Sequence, residues 1–288
     1  MEPIQDRGML MLLVIGASGN VGREVTRLLA ESGEQVRVLT RNPGSAAVPD
    51  GVEVVRGDLA DRESLETAMK GADGAYSLMR PDPAATRNLA AAAASQGLER
   101  IVLLTSLAAE AADTPLGLQH REAEQAVEAA GLTWAFLRPT NFASNSLAWA
   151  QSIRAEGAVR APFGTFKSAV IDPRDIAAVA VAELRSPDQA NRVHRLTGPQ
   201  VLGLTDQIAI IGEVLGRDIT YLEQSEREAH EELLARGVPA PVAASILAGQ
   251  RGALTQEQHV YDTVQEVTGR PATPYRDWVT ANRAAFAS

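Results

Sequence analysis

The apolar positions of this chain come in short blocks, and the stretches between the blocks have the apolar spacing of helices. The first block, 10–15, is unbroken and stops at Gly16, and a helical pattern of apolar residues at 21, 25, 28 and 29 follows at once. An unbroken run of this length is typical of a strand buried on both faces. Similar blocks at 35–42, 52–55, 73–79, 99–105 and 133–138 predict further strands, separated by helices that include 84–96 and 117–130. This alternation predicts an α/β fold with a doubly wound parallel sheet.

The turn after the first strand carries glycine at 16, 19 and 22. Glycine allows positive φ and lets a ligand approach the backbone, and the start of the next helix attracts a phosphate. We expect a dinucleotide pyrophosphate to bind here. The alternative is that small residues at this turn only permit close packing of strand and helix.

The ends of the second and third strands carry two further candidates. Arg41 stands about twenty residues after the glycine turn, where an acidic residue would favour NAD and an arginine accommodates the extra phosphate of NADP. Arg41 therefore favours NADP(H), unless it is simply a solvated turn residue. Asp58 follows the third strand, and its carboxylate either accepts from the adenine amino group or caps the local turn.

Beyond Pro139 the pattern becomes mainly helical. We predict a helix at 141–153, a two-strand patch that joins 158–161 to 167–171, a helix at 172–184 and a last strand at 192–196. The remaining predicted helices are 204–215, 226–235, 241–249, 257–267 and 275–285, with a strand possible at 219–222. We therefore expect a dinucleotide-binding domain over 9–141 plus 168–200, and a smaller, mostly helical substrate-binding cap lobe over 142–167 and 201–288.

Composition removes several classes of function. A net charge of −9 argues against nucleic-acid binding, and the absence of cysteine excludes disulfides, thiolate metal sites and cysteine nucleophiles. The four histidines are scattered, so we expect no metal. The first apolar block is too short for a signal peptide or a membrane span. These features predict a cytoplasmic protein with no membrane partner, as a monomer or homodimer.

Five short motifs in series resemble the atypical short-chain dehydrogenases/reductases of the NmrA-like group, which includes bacterial NAD(P)H quinone oxidoreductases. They are GASGNVG at 16–22, RNP at 41–43, GDL at 57–59, TSL at 105–107 and LRPTNF at 137–142, and the segment 267–286 is similar to the C-terminal end of that group. The resemblance implies a Rossmann domain that binds NADP(H), with residues 139–142 near the nicotinamide. The implied cofactor contacts are Gly16, Ala17, Ser18, Gly19, Asn20, Val21, Gly22, Arg41, Asp58, Leu59, Leu78, Met79, Arg80, Thr105, Pro139, Thr140, Asn141 and Phe142.

The chain lacks the proton-donating pair that is usual in short-chain reductases, a tyrosine followed four residues later by a lysine. None of its four tyrosines has a lysine at that spacing, and the corresponding positions on the helix after strand five are Leu116 and His120. The proton could then come from His120, from water or from a hydroxyl on the substrate, and we favour the last two. His120 is otherwise a structural helix residue. Ser106 or Thr105 could polarise the substrate carbonyl, or could only fix the loop.

These observations favour an NADPH-dependent oxidoreductase that reduces a quinone or an aromatic, polyketide-like ketone of secondary metabolism. The alternative is a non-catalytic regulator that senses NADP(H), as some NmrA-like proteins do. Aromatic residues near and within the cap lobe offer an apolar lining for the substrate: Phe142, Trp149, Phe163, Phe166, Tyr221, Tyr261 and Trp278.

Overall fold

The computed structural model describes residues 9–80, 82–111, 114–186, 191–254 and 257–287. Its strands agree closely with the apolar blocks of the sequence. In chain order they are β1 (Met11–Ile15), β2 (Gln35–Thr40), β3 (Glu53–Arg56), β4 (Gly74–Leu78), β5 (Arg100–Leu104), β6 (Thr133–Pro139), β7 (Ala158–Ala161), β8 (Lys167–Ser168), β9 (Arg192–Leu196), β10 (Leu202–Gly203) and β11 (Thr220–Glu223).

The helices fill the intervals between the strands and dominate the last third of the chain. They are α1 (Asn20–Glu31), α2 (Arg62–Met69), α3 (Pro83–Gln96), α4 (Pro115–Glu128), α5 (Ala150–Glu156), α6 (Pro173–Arg185), α7 (Leu204–Leu215), α8 (Glu226–Ala235), α9 (Ala240–Ala253), α10 (Thr263–Thr268), α11 (Tyr275–Ala281) and α12 (Arg283–Phe286). Short 3-10 helices cover Pro43–Ser45, Leu107–Glu110 and Ala143–Trp149.

Seven strands form one parallel sheet in the order β3-β2-β1-β4-β5-β6-β9. The order reverses beside β1, because β2 and β3 lie on one side of it and β4, β5 and β6 on the other. Open parallel sheets bind ligands outside the carboxyl ends of the strands at such a reversal. The predicted doubly wound α/β fold is confirmed, and its reversal lies at the glycine turn that follows β1.

Helices cover both faces of this sheet. Helices α1 and α6 pack against each other, while α2, α3 and α4 form a second packed series. The core against that second series is made by aliphatic side chains of the strands and helices, among them Leu13, Ile101 and Val127, each of which has no exposed surface. Burial on both faces explains why the central strands β1, β4 and β5 do not alternate between apolar and charged residues.

The chain divides into two compact units. The first comprises the described residues up to Pro139 together with Pro173–Leu196 and Glu266–Gly269, and it contains the whole seven-stranded sheet. The second comprises Thr140–Asp172, Thr197–Gln265 and the described residues from Arg270 onward. It has its own core, in which Ile153, Ile211 and Val279 are fully buried.

Three details predicted for the second unit are wrong. Strands β7 and β8 do not pair with each other: β7 pairs in parallel with β11, and β8 pairs antiparallel with β10. The segment predicted as a helix at 141–153 begins as a β-bridge between Phe142 and Ile171, and the backbone N–H of Ala143 donates to the carbonyl of Ile171 at 2.8 Å. The helix predicted at 257–267 begins only at Thr263 and ends at Thr268, because the backbone N–H of Tyr261 donates to Thr197 Oγ1 at 2.9 Å.

Candidate functional site

The glycine turn brings β1 directly into α1, and two of its glycines cannot be replaced without strain. Gly16 has φ +88°, and a Cβ there would lie 2.4 Å from Leu78 Cδ2. A Cβ on Gly22 would lie 2.2 Å from the carbonyl oxygen of Gly16. The turn is closed by a hydrogen bond from the backbone N–H of Gly19 to that same carbonyl at 2.9 Å. Because Gly19, the residue before α1, has no side chain to cap the helix, the helix start remains open to an anionic ligand.

A cavity of about 410 Å³ opens in the first unit beside this turn. Its walls come from the ends of β1, β2 and β4 and from the loops that follow β2 and β3. Eight of the predicted cofactor contacts line it, namely Gly16, Ala17, Ser18, Arg41, Asp58, Leu59, Leu78 and Arg80. The remaining predicted contacts of this unit do not line it: Gly19, Asn20, Val21, Gly22, Met79, Thr105 and Pro139.

Three arginines line the cavity, and none of them has an ion-pair partner among the described residues. They are Arg23, Arg41 and Arg80, and all three are exposed. Asp58 is the acidic residue among the described residues that line the cavity. In an acidic chain whose other arginines are commonly paired with carboxylates, three free guanidinium groups create a positive potential that attracts an anion. Sequence reasoning missed Arg23. Its position one residue after Gly22, in the first turn of α1, was the available signal.

Asp58 takes part in its own loop and also faces the cavity. Its Oδ1 accepts a hydrogen bond from the backbone N–H of Ala60 at 3.0 Å, and its own N–H donates to Ser64 Oγ at 3.0 Å. One carboxylate oxygen thus stabilises the turn, as the cap hypothesis requires. The side chain still lines the cavity, so the hypothesis of an adenine contact stays a prediction.

The carboxyl ends of β5 and β6 carry a different arrangement, built around a buried carboxylate on α4. Glu124 has no exposed surface and accepts hydrogen bonds from Thr105 Oγ1 at 2.9 Å and from Arg138 Nη2 at 2.6 Å. Arg138 also pairs with Glu110 at 3.2 Å, and Arg121 pairs with Glu124 at 3.0 Å. The Thr105 hydroxyl is therefore engaged within the protein. This supports its role in fixing the loop.

The two other candidates near this strand end are His120 and Ser106. His120 lies one helical turn before Glu124, and burial lowers its pKa to about 4, although the charge of Glu124 opposes that shift. Its Nδ1 is buried and has no hydrogen-bond partner among the described residues. At neutral pH the imidazole is consequently neutral. Ser106 caps the following 3-10 helix, where its Oγ accepts from the N–H of Ala108 at 3.1 Å.

A second pocket lies within the second unit. Aromatic rings and carboxamides dominate its walls, and of the residues predicted to contact the cofactor it includes Asn141 and Phe142. Two further aromatic residues predicted to line a substrate site, Trp149 and Phe166, also line it. Thr140 does not, and its hydroxyl donates to the carbonyl of Ala169 at 2.6 Å.

Two kinds of feature are absent from the part of the chain that the structure describes. No group of three or more histidine, aspartate or glutamate side chains is arranged to hold a metal ion. No described helix is both long enough and apolar enough to cross a bilayer.

Comparison with known proteins gives consistent matches over nearly the whole chain. Residues 16–187 match a family described as NAD(P)H-binding. The chain is 42% identical over 283 residues to a (4-alkanoyl-5-oxo-2,5-dihydrofuran-3-yl)methyl phosphate reductase of Streptomyces griseus, covering 96% of this chain and 99% of the relative. It is 34% identical over 286 residues to an NAD(P)H azoreductase of Xenophilus azovorans, with the same coverage of 96% and 99%.

A solved structure shows the same fold at lower sequence identity. An NADPH-dependent quinone oxidoreductase of Escherichia coli, crystallised with NADPH, superimposes with a TM-score of 0.82 at 23% identity. The match covers 95% of this chain and 100% of that one. The parallel sheet and the helical part after it are therefore common to both proteins.

Proposed function

The chain belongs to the NAD(P)H-binding family, and from that premise we propose that it is an NADPH-dependent reductase that transfers hydride to a carbonyl group of a quinone or an aromatic ketone. Membership confirms the predicted cofactor class, and the two relatives reported above are both named reductases, which confirms the predicted oxidoreductase. Those names also favour an enzyme over a regulator that only senses NADP(H).

The free arginines of the first unit support NADPH as the preferred cofactor. The glycine turn leaves room for a pyrophosphate against the backbone, and Arg41 lies at the end of β2, where the ribose of a dinucleotide meets the sheet in this fold. Arg23 lines the same cavity and adds a second guanidinium. Two planar cations near one ribose favour a 2′-phosphate over a 2′-hydroxyl.

The aromatic pocket of the second unit is the observation from which we infer an aromatic acceptor. A planar ring packs well against Phe142, Trp149 and Phe166, since offset stacking adds to the gain from apolar burial. A phosphorylated acceptor, of the kind named for the Streptomyces griseus relative, would find no cationic side chain among the described residues that line this pocket. We therefore assign the aromatic acceptor to the second unit and the cofactor to the first.

The reduction needs a hydride, which the cofactor would supply, and a proton, which must come from another source. Bound NADPH supplies the hydride, which goes to the carbonyl carbon, and the oxygen then needs one proton. Burial raises the pKa of the Tyr76 and Tyr275 hydroxyls, so neither is an activated phenol. His120 is neutral at pH 7, and Thr105 already donates to Glu124. Water or a hydroxyl on the substrate is the remaining source, as the sequence favoured.

NADPH oxidation at 340 nm with a panel of quinones and polycyclic ketones tests this proposal. We expect turnover with at least one neutral aromatic acceptor, and the rate of His120→Ala to stay within about tenfold of the unsubstituted protein. A general acid contributes about 100- to 10,000-fold, so a loss of that size in a folded variant would make His120 the proton donor. Tight NADPH binding with no oxidation across the panel would refute the reductase.

A further inference from the structure

The pocket of the second unit has an unusual polar composition. None of its described lining residues carries a charge, and its polar groups are mainly the carboxamides of Asn141, Asn145, Gln207 and Gln250. Its volume of about 110 Å³ is somewhat smaller than that of an engineered apolar cavity, about 150 Å³, that binds benzene. The pocket itself therefore has room for about one ring of a ligand.

Gln207 is the carboxamide whose surroundings point to a ligand. It lies on the buried face of α7 together with Leu204 and Ile208, and only 5% of its surface is exposed. Its side chain makes no hydrogen bond with any described residue. Its amide lines the pocket, and a carboxamide with no protein partner there hydrogen-bonds a ligand or water.

Burial distinguishes Gln207 from the other carboxamides of this pocket, because Asn141 and Asn145 are exposed and Gln250 is half-buried. The Ser146 hydroxyl is also buried, but it accepts a hydrogen bond from the Tyr275 hydroxyl at 2.7 Å and is satisfied within the protein. A Gln207 amide that offers both a donor and an acceptor to the pocket can bind a carbonyl or a hydroxyl oxygen equally well.

We propose that Gln207 is a specificity-determining residue that hydrogen-bonds the oxygen of an uncharged aromatic ligand, and that this pocket rejects anionic ligands of the same shape. The rejection follows from the lining, because an anion that enters loses hydration and gains no cationic partner. Identifying this ligand with the acceptor rests on the proposed function. The binding preference itself does not.

Calorimetric titration with two redox-inactive probes of one ring system tests the proposal. We expect 2-naphthol, which is uncharged at pH 7, to bind at least about tenfold more tightly than 2-naphthoate, which is an anion. Gln207→Met keeps the length of the side chain and removes the amide, and it should weaken 2-naphthol about tenfold, the equivalent of one hydrogen bond. Gln151→Met, an exposed position on α5 in the same unit, is the matched control and should leave both affinities unchanged.

A second variant keeps the test decisive if Gln207→Met does not fold. Gln207→Glu retains an acceptor for the naphthol hydroxyl and repels a carboxylate, so it should widen the ratio between the two probes. Equal affinity for the two probes, or affinities that neither substitution changes, would overturn the proposal. Probe binding that depends on Gln207 in a protein that reduces no acceptor would refute the proposed function alone. Turnover of neutral and anionic acceptors with equal KM would refute only the specificity.

Discussion

The carboxyl edge of the sheet has an open half, beside β1 and β2, and a paired half, beside β5 and β6. The arginines of the open half lack ion-pair partners among the described residues, whereas Arg138 in the paired half has two. Beside β1 and β2, Arg23 and Arg41 face a cavity with no ion-pair partner among the described residues. Beside β5 and β6, Arg138 is held by Glu124 at 2.6 Å and by Glu110 at 3.2 Å. The contrast separates the two uses of arginine in this unit. The unpaired guanidinium groups at the cavity can bind an anionic ligand, whereas the paired guanidinium group of Arg138 stabilises the fold.

The paired half includes α4, the helix on which the resemblance to short-chain reductases placed the positions of the usual tyrosine and lysine. Here α4 carries Leu116 and His120 instead, and its one buried carboxylate, Glu124, is engaged by Thr105, Arg121 and Arg138. The Glu124 carboxylate is therefore engaged by hydrogen bonds and ion pairs within the protein. The reaction proposed above therefore depends on a substrate that carries its own acid or admits water.

The largest expected effect concerns the paired half and its buried imidazole. The pKa of His120 falls from about 6.5 in the unfolded chain to about 4 in the folded one, so the unfolded state binds more protons between these values. The stabilisation is complete above pH 6.5 and is lost as the pH falls towards 4. Urea unfolding should show the unsubstituted protein losing up to about 3 kcal/mol more than His120→Gln over this window. Parallel pH curves for the two proteins would mean that His120 is accessible to solvent.

The next effect concerns the glycine turn of the open half. Gly22→Ala places a methyl group where the Gly16 carbonyl stands, so the turn must open and the pyrophosphate site is lost. We expect NADPH affinity to fall on the order of 100-fold, about 2.7 kcal/mol, in a calorimetric titration. Gly44→Ala is the matched control, since a Cβ there meets nothing within 4 Å. An equal loss of NADPH affinity in both variants would show that the glycine turn does not bind the nucleotide.

The smallest effect tests the unpaired arginines one at a time. Removing one charge-assisted hydrogen-bonding group costs about 1.5–3 kcal/mol, so Arg41→Ala should weaken NADPH by about tenfold or more and NADH much less. Arg23→Ala should show the same preference with a smaller loss. Arg56→Ala removes an exposed arginine at the end of β3 that does not line the cavity, and should change neither affinity. Equal losses of NADPH and NADH would place the 2′-phosphate elsewhere.

The features that sequence reasoning predicted correctly are local in the chain. Each of the first six strands of the large sheet is its own apolar block, and the right-handed crossover then leaves few possible orders. The glycine turn is likewise a property of seven consecutive residues, and eight predicted contacts line the cavity beside it. Whether those residues hold the nucleotide remains a prediction.

The features that were missed depend on partners far away in the sequence. Strand β7 pairs with β11 about sixty residues later, so proximity wrongly suggested β8 as its partner. The unpaired state of Gln207 is visible only once α7 is packed, because an amide in an apolar helix pattern reads as a surface residue. Arg23 was missed for a different reason: it directly follows Gly22, but helix periodicity does not say which exposed side chain meets a cavity.

The edge strand β9 returns to the sheet only after the chain has passed through 140–172 in the second unit. A fragment ending at Pro139 would therefore leave the backbone of β6 uncovered along one side, and unpaired edges of this kind invite aggregation. The sheet is in this sense completed late during synthesis. Ribosome-bound chains that end before Arg192 therefore lack the strand that covers β6.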